Sequence, residues 1–308
     1  MHVTWFDNNS WLWEIADQRI LVDPWLVGSL TFGNASWLFK GEKTTPRPLP
    51  DAIDVILLSQ GLEDHAHPET LRALDKAIPV IGSPNAIKVV RELGFTDTTV
   101  LEHGQEKTLA GITIKAVPGA PIGPTLLENG YIVTEAATGL KLFYEPHGYH
   151  QAGLKAEAPI DVVITPMMNL ALPLVGPIIR GSKSAGELAD WLQPQIMLPT
   201  TDAQETAYEG LLVSVLKASG GAQQVRDELA AAGKSIQVLD PAVGDRQELP
   251  LARVAQRRWL QEADRRVHQG DRRKLPRARV ARRRRLKRTS RLVHHGERLQ
   301  QHRKQKNL

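Results

Sequence analysis

Hydrophobic positions in the first half of the chain come in short runs separated by polar turn residues, a pattern typical of strands. The runs predict a hairpin with strands at 11–15 and 19–22, and a continuously apolar strand at 54–58 that suits burial on both faces. A helix is predicted at 68–77, where Pro68 occupies a favourable first position. Further elements are expected as strands at 79–82, 99–101, 107–109, 112–117, 130–134 and 141–144, and a helix at 86–93.

The second half alternates strands with segments of helical period. The pattern predicts strands at 161–165, 195–198 and 235–239, and helices at 184–192, 211–218 and 222–232. Strand pairs followed by strand–helix units indicate an α/β protein. We expect an αββα sandwich, in which two mixed β-sheets pack face to face with helices outside.

The charge of the chain divides at residue 250. Residues 251–308 hold 21 Lys and Arg against 4 Asp and Glu, which leaves 18 Lys and Arg against 30 Asp and Glu in residues 1–250. We therefore predict an acidic domain at 1–250 and a basic tail at 251–308, which is too charged to bury a core and is expected to be mobile. The tail is either a nucleic-acid-binding extension or the product of translation in a shifted reading frame.

The composition favours a cytoplasmic protein. The chain has no cysteine, its first residues lack the pattern of a secretory signal, and no apolar run reaches the roughly 18–20 residues that span a bilayer. The longest apolar segment runs from Met167 to Ile179 and is interrupted by prolines. It is either a buried connector or an apolar lid, which would admit a hydrophobic small-molecule substrate or touch a membrane surface.

The most informative motif is a polar loop at 59–65, Ser-Gln-Gly-Leu-Glu-Asp-His, which follows an apolar strand and precedes a helix. It resembles the His-x-His-x-Asp-His loop of the metallo-β-lactamase superfamily, with Gln60 and Leu62 in place of the first two histidines. An Asp-Pro pair at Asp23 and a later strand-end carboxylate extend the resemblance over about residues 3–245. The chain looks most like the lactonase-like branch of metal-dependent hydrolases, and its loop resembles an atypical group from cyanobacteria and plants.

The resemblance implies the fold of that superfamily and a modified set of metal ligands. Asp64 and His65 match the family's Asp-His pair, whereas Gln60 offers only a weak amide oxygen and Leu62 offers no ligand. Glu145 stands where the family has a bridging aspartate, and His147 follows it.

The remaining family positions are also altered. No histidine follows the strand at 112–117, and Thr201 and Asp202 stand where the family has its last histidine. Asp23 matches the aspartate that supports the metal loop, a role that typically orients ligands. We interpret His67 as a helix-start residue and His150 as a weaker candidate ligand. The candidate residues are the metal ligands Asp64, His65, Glu145, His147 and Asp202, the catalytic residues Asp64 and Asp202, and the supporting residues Asp23, Gln60 and Thr201.

Two functions fit these residues. The first is a hydrolase of an ester, lactone or phosphoester that uses one Zn, Mn or Fe ion, with Asp202 as a ligand or general base. The alternative is a non-catalytic protein without a metal, which binds a ligand or a membrane surface through the same pocket. Whether the chain is an enzyme is therefore open, and nucleic-acid binding is expected only if the basic tail is genuine.

Overall fold

The computed structural model describes residues 1–123, 125–173 and 175–268. The chain divides into a compact unit of Met1–Ala255, which carries the fold and the site, and a second unit of Gln256–Leu308. Most of the basic tail predicted at 251–308 lies outside the described residues, so its mobility and its binding to nucleic acid stay predictions. None of the described helices is both long enough and apolar enough to cross a membrane.

The described residues form twenty strands, six α-helices and one 3₁₀-helix, Ala152–Glu157. The strands up to residue 144 are β1 (His2–Trp5), β2 (Trp11–Ile15), β3 (Gln18–Val22), β4 (Leu30–Thr31), β5 (Lys40–Lys43), β6 (Val55–Leu58), β7 (Val80–Gly82), β8 (Thr98–Val100), β9 (Glu106–Leu109), β10 (Ile112–Ile122), β11 (Leu126–Glu135) and β12 (Lys141–Tyr144). The later strands are β13 (Val162–Pro166), β14 (Met168–Leu172), β15 (Gly176–Ile179), β16 (Ile196–Thr200), β17 (Thr206–Glu209), β18 (Lys217–Gly220), β19 (Gln237–Val238) and β20 (Arg246–Glu248). The α-helices are α1 (Pro68–Ala73), α2 (Pro84–Glu92), α3 (Ser182–Leu192), α4 (Leu211–Val215), α5 (Ala222–Ala231) and α6 (Ala252–His268).

Two seven-stranded mixed sheets form the centre of the fold. Their strand orders are β20-β1-β2-β3-β6-β7-β8 and β19-β16-β13-β12-β11-β10-β9. In each sheet one part is antiparallel and the other parallel, with β3, β6, β7 and β8 parallel in the first and β12, β13, β16 and β19 parallel in the second. Two three-stranded sheets, β15-β14-β18 and β17-β5-β4, complete the unit.

Alternation along the strands produces three cores. Trp11 and Trp13 of β2 belong to the core that both sheets share, whereas Leu12 between them belongs to the core beneath α1 and α2. The other face of the second sheet packs Val163 of β13 against α3 and α5, with Leu188 at the centre of α3. A strand turns successive side chains to opposite faces, so one apolar run serves two layers. The predicted αββα sandwich of two mixed sheets is confirmed.

Several elements differ from their predicted bounds. The hairpin β10–β11 reaches to Ile122 and Leu126, where the sequence predicts strands only at 112–117 and 130–134. The pairing shifts register between Pro118 and Pro121, which lets the hairpin continue past its prolines. The helix predicted at 211–218 ends at Val215 and is followed by β18. The segment from Met167 to Ile179 forms the hairpin β14–β15, most of whose residues are only half-buried, so a fully buried connector is wrong.

Candidate metal centre

The candidate site lies where the parallel strands of both sheets end. Asp23 follows β3, the 59–65 loop follows β6, Glu145 follows β12 and Thr201 follows β16. Because the carboxyl ends of parallel strands meet at the same edge of a sheet, four loops far apart in sequence converge there.

Asp23 and His65 form the buried centre of this edge, and neither side chain is exposed to solvent. Asp23 Oδ2 lies 2.9 Å from His65 Nδ1 and accepts hydrogen bonds from Ser59 Oγ at 2.6 Å and Tyr144 OH at 2.7 Å. Asp23 Oδ1 accepts the backbone N–H of Ser59 at 2.7 Å. The Asp23 carboxylate therefore links Ser59 of the loop to Tyr144 of the second sheet, and it fixes the orientation of the His65 ring through Nδ1.

Asp64 approaches the other nitrogen of the same ring, with Oδ2 3.2 Å from His65 Nε2. Burial alone would lower the pKa of His65, but the carboxylates of Asp64 and Asp23 raise this pKa well above its ordinary value. Burial likewise opposes ionisation of Asp64, and His65 nevertheless holds the pKa of Asp64 below its usual range. Asp64 Oδ1 is buried and has no hydrogen-bond partner in the structure.

His147 lies beside His65, with 5.1 Å between the ring centroids. Its Nδ1 lies 2.8 Å from Glu128 Oε1 and 2.9 Å from Glu128 Oε2. Burial and the nearby His65 lower the pKa of His147, which favours the neutral ring. A neutral ring that donates from Nδ1 to a carboxylate keeps the lone pair on Nε2. His147 is therefore prepared to act as a ligand through Nε2.

Glu128 and Glu145 form a fully buried carboxyl pair. Burial raises the pKa of Glu128 to about 7, and burial together with Glu128 raises the pKa of Glu145 well above its ordinary value. Glu145 also accepts the backbone N–H groups of His147 at 3.2 Å and Tyr149 at 2.8 Å. Two adjacent buried carboxyls favour sharing one proton, because both cannot ionise cheaply.

The two residues that replace family histidines have different surroundings. Gln60 is buried, donates from Nε2 to Glu128 Oε2 at 3.1 Å, and leaves its Oε1 without a partner. Leu62 is 41% exposed and lines the adjoining cavity. The loop thus supplies one buried amide and one apolar surface where the family has imidazoles.

Thr201 reaches the site through Asn9. Its hydroxyl lies 2.8 Å from Asn9 Oδ1 and 2.6 Å from the carbonyl oxygen of Pro146. Asn9 Nδ2 in turn lies 3.4 Å from His65 Nε2. Asp202, next in sequence, lines the cavity and has a buried Oδ1 without a partner. Burial, with Asp240 and Asp7 nearby, raises the pKa of Asp202 to about 6.

The other histidines near these loops have structural roles. His67 is the N-cap of α1 and accepts the backbone N–H of Thr70 at 3.3 Å, which confirms its interpretation as a helix-start residue. His150 Nε2 lies 3.3 Å from Glu187, and its ring packs edge-on against Trp191.

In the described part of the chain, two groups of side chains are close enough to hold an ion. One consists of Asp64, His65 and His147, and the other of Glu128, Glu145 and His147, with the ligand atoms of each group within 4.8 Å of one another. The structure thus brings together three predicted ligands, places Glu145 in the second group, and leaves Asp202 outside both.

Sequence reasoning missed Glu128 and Asn9. Glu128 stands in Leu-Leu-Glu-Asn-Gly, a stretch that looks like a turn before the apolar run that follows. Asn9 lies in the polar stretch Asp-Asn-Asn-Ser between β1 and β2. This stretch reads as an ordinary turn before the first predicted hairpin and contains no motif of a functional site. The available signal is that each residue stands in a short polar stretch directly before an apolar run.

A cavity of about 910 Å³ opens beside the site. Its wall includes the polar residues Asp64, Glu128, His147 and Asp202. The rest is mainly apolar and comes from β14, β15, α4, the 30–39 segment and the β10–β11 turn, including Phe32, Phe39, Ile122, Leu170, Ile178 and Leu212.

Comparison with known proteins agrees with this architecture. A metal-dependent hydrolase of the UPF0173 group from Cereibacter sphaeroides is 26% identical over 153 residues, which span half of this chain and 63% of that relative. Among solved structures, an isothiocyanate hydrolase from Delia radicum gut bacteria superposes with a TM-score of 0.60 at 18% identity, covering 82% of this chain and all of the other. The metallo-β-lactamase fold protein YhfI from Bacillus subtilis gives a TM-score of 0.55 at 16% identity, covering 80% of this chain and 98% of the other.

The family assignment rests on the match to residues 2–201, well over half of the chain, by the family model described as the beta-lactamase superfamily domain. These residues contain the opening hairpin, the 59–65 loop, the Glu128–Glu145 pair and His147. The chain belongs to the beta-lactamase superfamily domain family and has the metallo-β-lactamase fold.

Proposed function

We propose that the protein is a metal-dependent hydrolase that cleaves an ester, lactone or phosphoester, with one divalent cation held by Asp64, His65 and His147. The supporting observation is the orientation of the two imidazoles. A buried carboxylate holds each ring through Nδ1, Asp23 for His65 and Glu128 for His147. Histidines that bind metals typically show this arrangement, because it fixes the ring and strengthens the other nitrogen as a ligand.

The chemistry of the donor set fits a divalent cation. Two imidazole nitrogens and a carboxylate oxygen suit zinc, manganese or iron. Asp64 Oδ1, buried and without a partner, would gain one from such an ion. His65 has to lose a proton before Nε2 can bind, so binding of the ion is expected to release protons.

The bound cation would supply Lewis-acid polarisation and a nucleophile active at neutral pH. Residues of the chain would accept the proton from water and position the ligands. Asp202 lines the same cavity and its buried Oδ1 has no hydrogen-bond partner, and a carboxyl whose pKa is about 6 can accept a proton from water at neutral pH. The amide of Asn9 lies 3.4 Å from His65 Nε2, and its Oδ1 accepts a hydrogen bond from the Thr201 hydroxyl, which holds the amide in place.

The relatives support the reaction class. The Cereibacter sphaeroides relative is described as a metal-dependent hydrolase and the Delia radicum neighbour as an isothiocyanate hydrolase. Ester, lactone and phosphoester are the proposed substrates, and Zn, Mn and Fe the proposed ions.

Metal content tests this proposal directly. Protein without a histidine tag, incubated with Zn²⁺, Mn²⁺ or Fe²⁺ and then dialysed, should retain about one equivalent of one of them. His147→Gln should weaken binding by more than the roughly 10- to 100-fold typical of a lost orienting group. His150→Gln, three residues later and outside both groups, is the matched control and should bind like the wild type. Retention of less than about a tenth of an equivalent of every ion would count against the proposal.

A non-catalytic binding protein is the second candidate. The hydrogen bond between Gln60 and Glu128 favours it, because it places a neutral amide where the family has a ligand. This candidate predicts ligand binding in the cavity by protein that retains none of the three ions and hydrolyses no ester.

A further inference from the structure

The cavity has the size of a small-molecule site and is mostly apolar. Its volume of about 910 Å³ lies near the upper end of the roughly 300–1,000 Å³ typical of such sites. Met168, Leu170 and Leu172 of β14 face it, as do Leu212 and Leu216 in the α4 region. Binding of an apolar ligand against such a wall is favourable, because it removes apolar surface of both from water.

The charged part of the wall has one sign. Four carboxyl residues line the cavity, namely Asp64, Glu128, Asp202 and Asp240, and the described lining residues include no lysine or arginine. Away from the ion proposed at Asp64 and His147, an anionic group on the ligand would meet carboxylates and no lysine or arginine, and burying an unpaired charge is costly. The wall therefore favours an uncharged ligand over a phosphate or carboxylate wherever the ligand does not contact the ion.

Exposed apolar side chains are also frequent in the segments that line the cavity. Of the eight large exposed hydrophobic residues in the described chain, Leu62 lines the cavity itself, and six others lie within a few residues of a lining residue: Trp37, Leu126, Leu127, Val175, Leu211 and Val215. Single exposed hydrophobic residues are ordinary, but their frequency in these segments is consistent with a site that binds an apolar ligand.

We propose that the substrate is an uncharged ester with an extended alkyl or acyl chain. The apolar chain fills the cavity, and the carbonyl lies toward Asp64 and His147. This proposal rests on the hydrolase function proposed above and narrows its substrate class, since it excludes phosphate monoesters.

Binding of uncleavable ketones separates this proposal from the catalytic one. Full-length protein is titrated, with and without the retained metal ion, against 2-hexanone, 2-decanone and decanoate, with tryptophan fluorescence or calorimetry as the readout. Each methylene removed from water is worth about two- to fourfold in affinity, so the four extra methylenes of 2-decanone should make it bind roughly 16- to 250-fold more tightly than 2-hexanone. Decanoate has the same chain length as 2-decanone but carries a charge, and in protein without the ion it should bind at least about tenfold more weakly than 2-decanone.

A variant pair locates the binding. Ile178→Asn introduces an amide into the cavity wall and should reduce the affinity for 2-decanone by about tenfold or more. Val89→Asn, at a half-buried position on α2 away from the cavity, also replaces a branched aliphatic side chain with an amide and should leave the affinity unchanged. Circular dichroism verifies that both variants are folded.

Each outcome decides the proposal. Equal affinity for 2-hexanone and 2-decanone, or equal affinity of protein without the ion for 2-decanone and decanoate, would overturn it. Cosedimentation with phosphatidylcholine vesicles in the absence of ketone binding would also overturn it and indicate a membrane contact instead. Ketone binding that depends on chain length, without hydrolysis of the matching ester, would support an uncharged apolar ligand. It would contradict only the hydrolase function.

Discussion

At the scale of single residues, the site depends on buried carboxylates that hold imidazoles. Asp23 and Glu128 each fix one ring through Nδ1, and only Asp23 has a signal in the sequence, the Asp-Pro pair after the first hairpin. Glu128 lies near the start of an antiparallel strand that begins at Leu126, whereas the sequence predicts a start at residue 130, beyond Glu128. Its partner His147 lies 19 residues away across the sheet, and no local motif encodes that contact.

Glu128→Gln tests the positioning of His147. The amide can still accept a hydrogen bond from Nδ1 but lacks the negative charge, so metal affinity should fall by about 10- to 100-fold. Competition with a chromogenic chelator measures this affinity. Glu135→Gln is the matched control, because Glu135 is a buried glutamate on the same strand that bonds to Thr138 instead. Equal affinities in the two variants would contradict the role of Glu128.

The free energy of unfolding of Asp202→Asn, measured against pH, tests the raised pKa of Asp202. Burial and neighbouring carboxylates raise its pKa to about 6, against about 3.9 in an unfolded chain. The folded state therefore binds more protons between about pH 4 and pH 6, and the contribution of Asp202 to stability falls as pH rises through this window. The variant escapes this loss and should be about 2 kcal/mol more stable than the wild type at pH 7, with no difference below about pH 4.

Urea unfolding at several pH values measures the difference. Asp227→Asn on the exposed face of α5 removes an acidic side chain without burial and is the control. A constant gap between Asp202→Asn and the wild type across the pH range would contradict the account.

At the scale of elements, turn geometry places the ligands. Gly148 directly follows His147 and has a φ of +76°, and a Cβ added there would lie 1.7 Å from the carbonyl oxygen of Arg180. Arg180 in turn donates its backbone N–H to the carbonyl oxygen of His147 at 2.9 Å. The close approach of these two segments therefore requires glycine.

Gly148→Ala should push the His147 turn away from Arg180, with a loss of about 2 kcal/mol or more of stability and a weaker metal site. Gly153→Ala, in a position with nothing within 4 Å and no positive φ, should change neither. Thermal unfolding and metal titration measure the two effects. Wild-type metal affinity in Gly148→Ala would show that the turn does not set the ligand geometry.

The sequence predicted correctly the strands whose hydrophobic pattern is contained within a few neighbouring residues. The hairpin β2–β3 and the buried strand β6 were predicted within one residue of their observed bounds. The small sheet β15-β14-β18 was missed, because β14 pairs with β18 far away in sequence and β15 contains Pro177, which looks like a turn residue. The apolar character of its hairpin was nevertheless visible, and that hairpin lines the cavity.

At the scale of the whole molecule, the compact unit ends after the point where the charge changes. Leu251 and Val254 are buried in the core between the sheets, so the unit extends to Ala255. The composition change alone places the boundary at 250, since single apolar residues inside a basic segment carry no signal of burial.

A chain that ends at Ala255 should fold with the stability of the full unit, whereas a chain that ends at Pro250 should lose about 3 kcal/mol or more, because two buried aliphatic side chains are removed. Chemical denaturation of the two truncated chains measures the difference. Equal stabilities would show that these side chains contribute nothing to the core.

Anomalous scattering from crystals of the metal-incubated protein tests the central claim most directly. One peak is predicted, bounded by Asp64 Oδ1, His65 Nε2 and His147 Nε2, with Glu128 and Asp23 holding the far side of each ring. A peak between Glu128 and Glu145 instead, or no peak in crystals of incubated protein, would contradict the proposed metal centre.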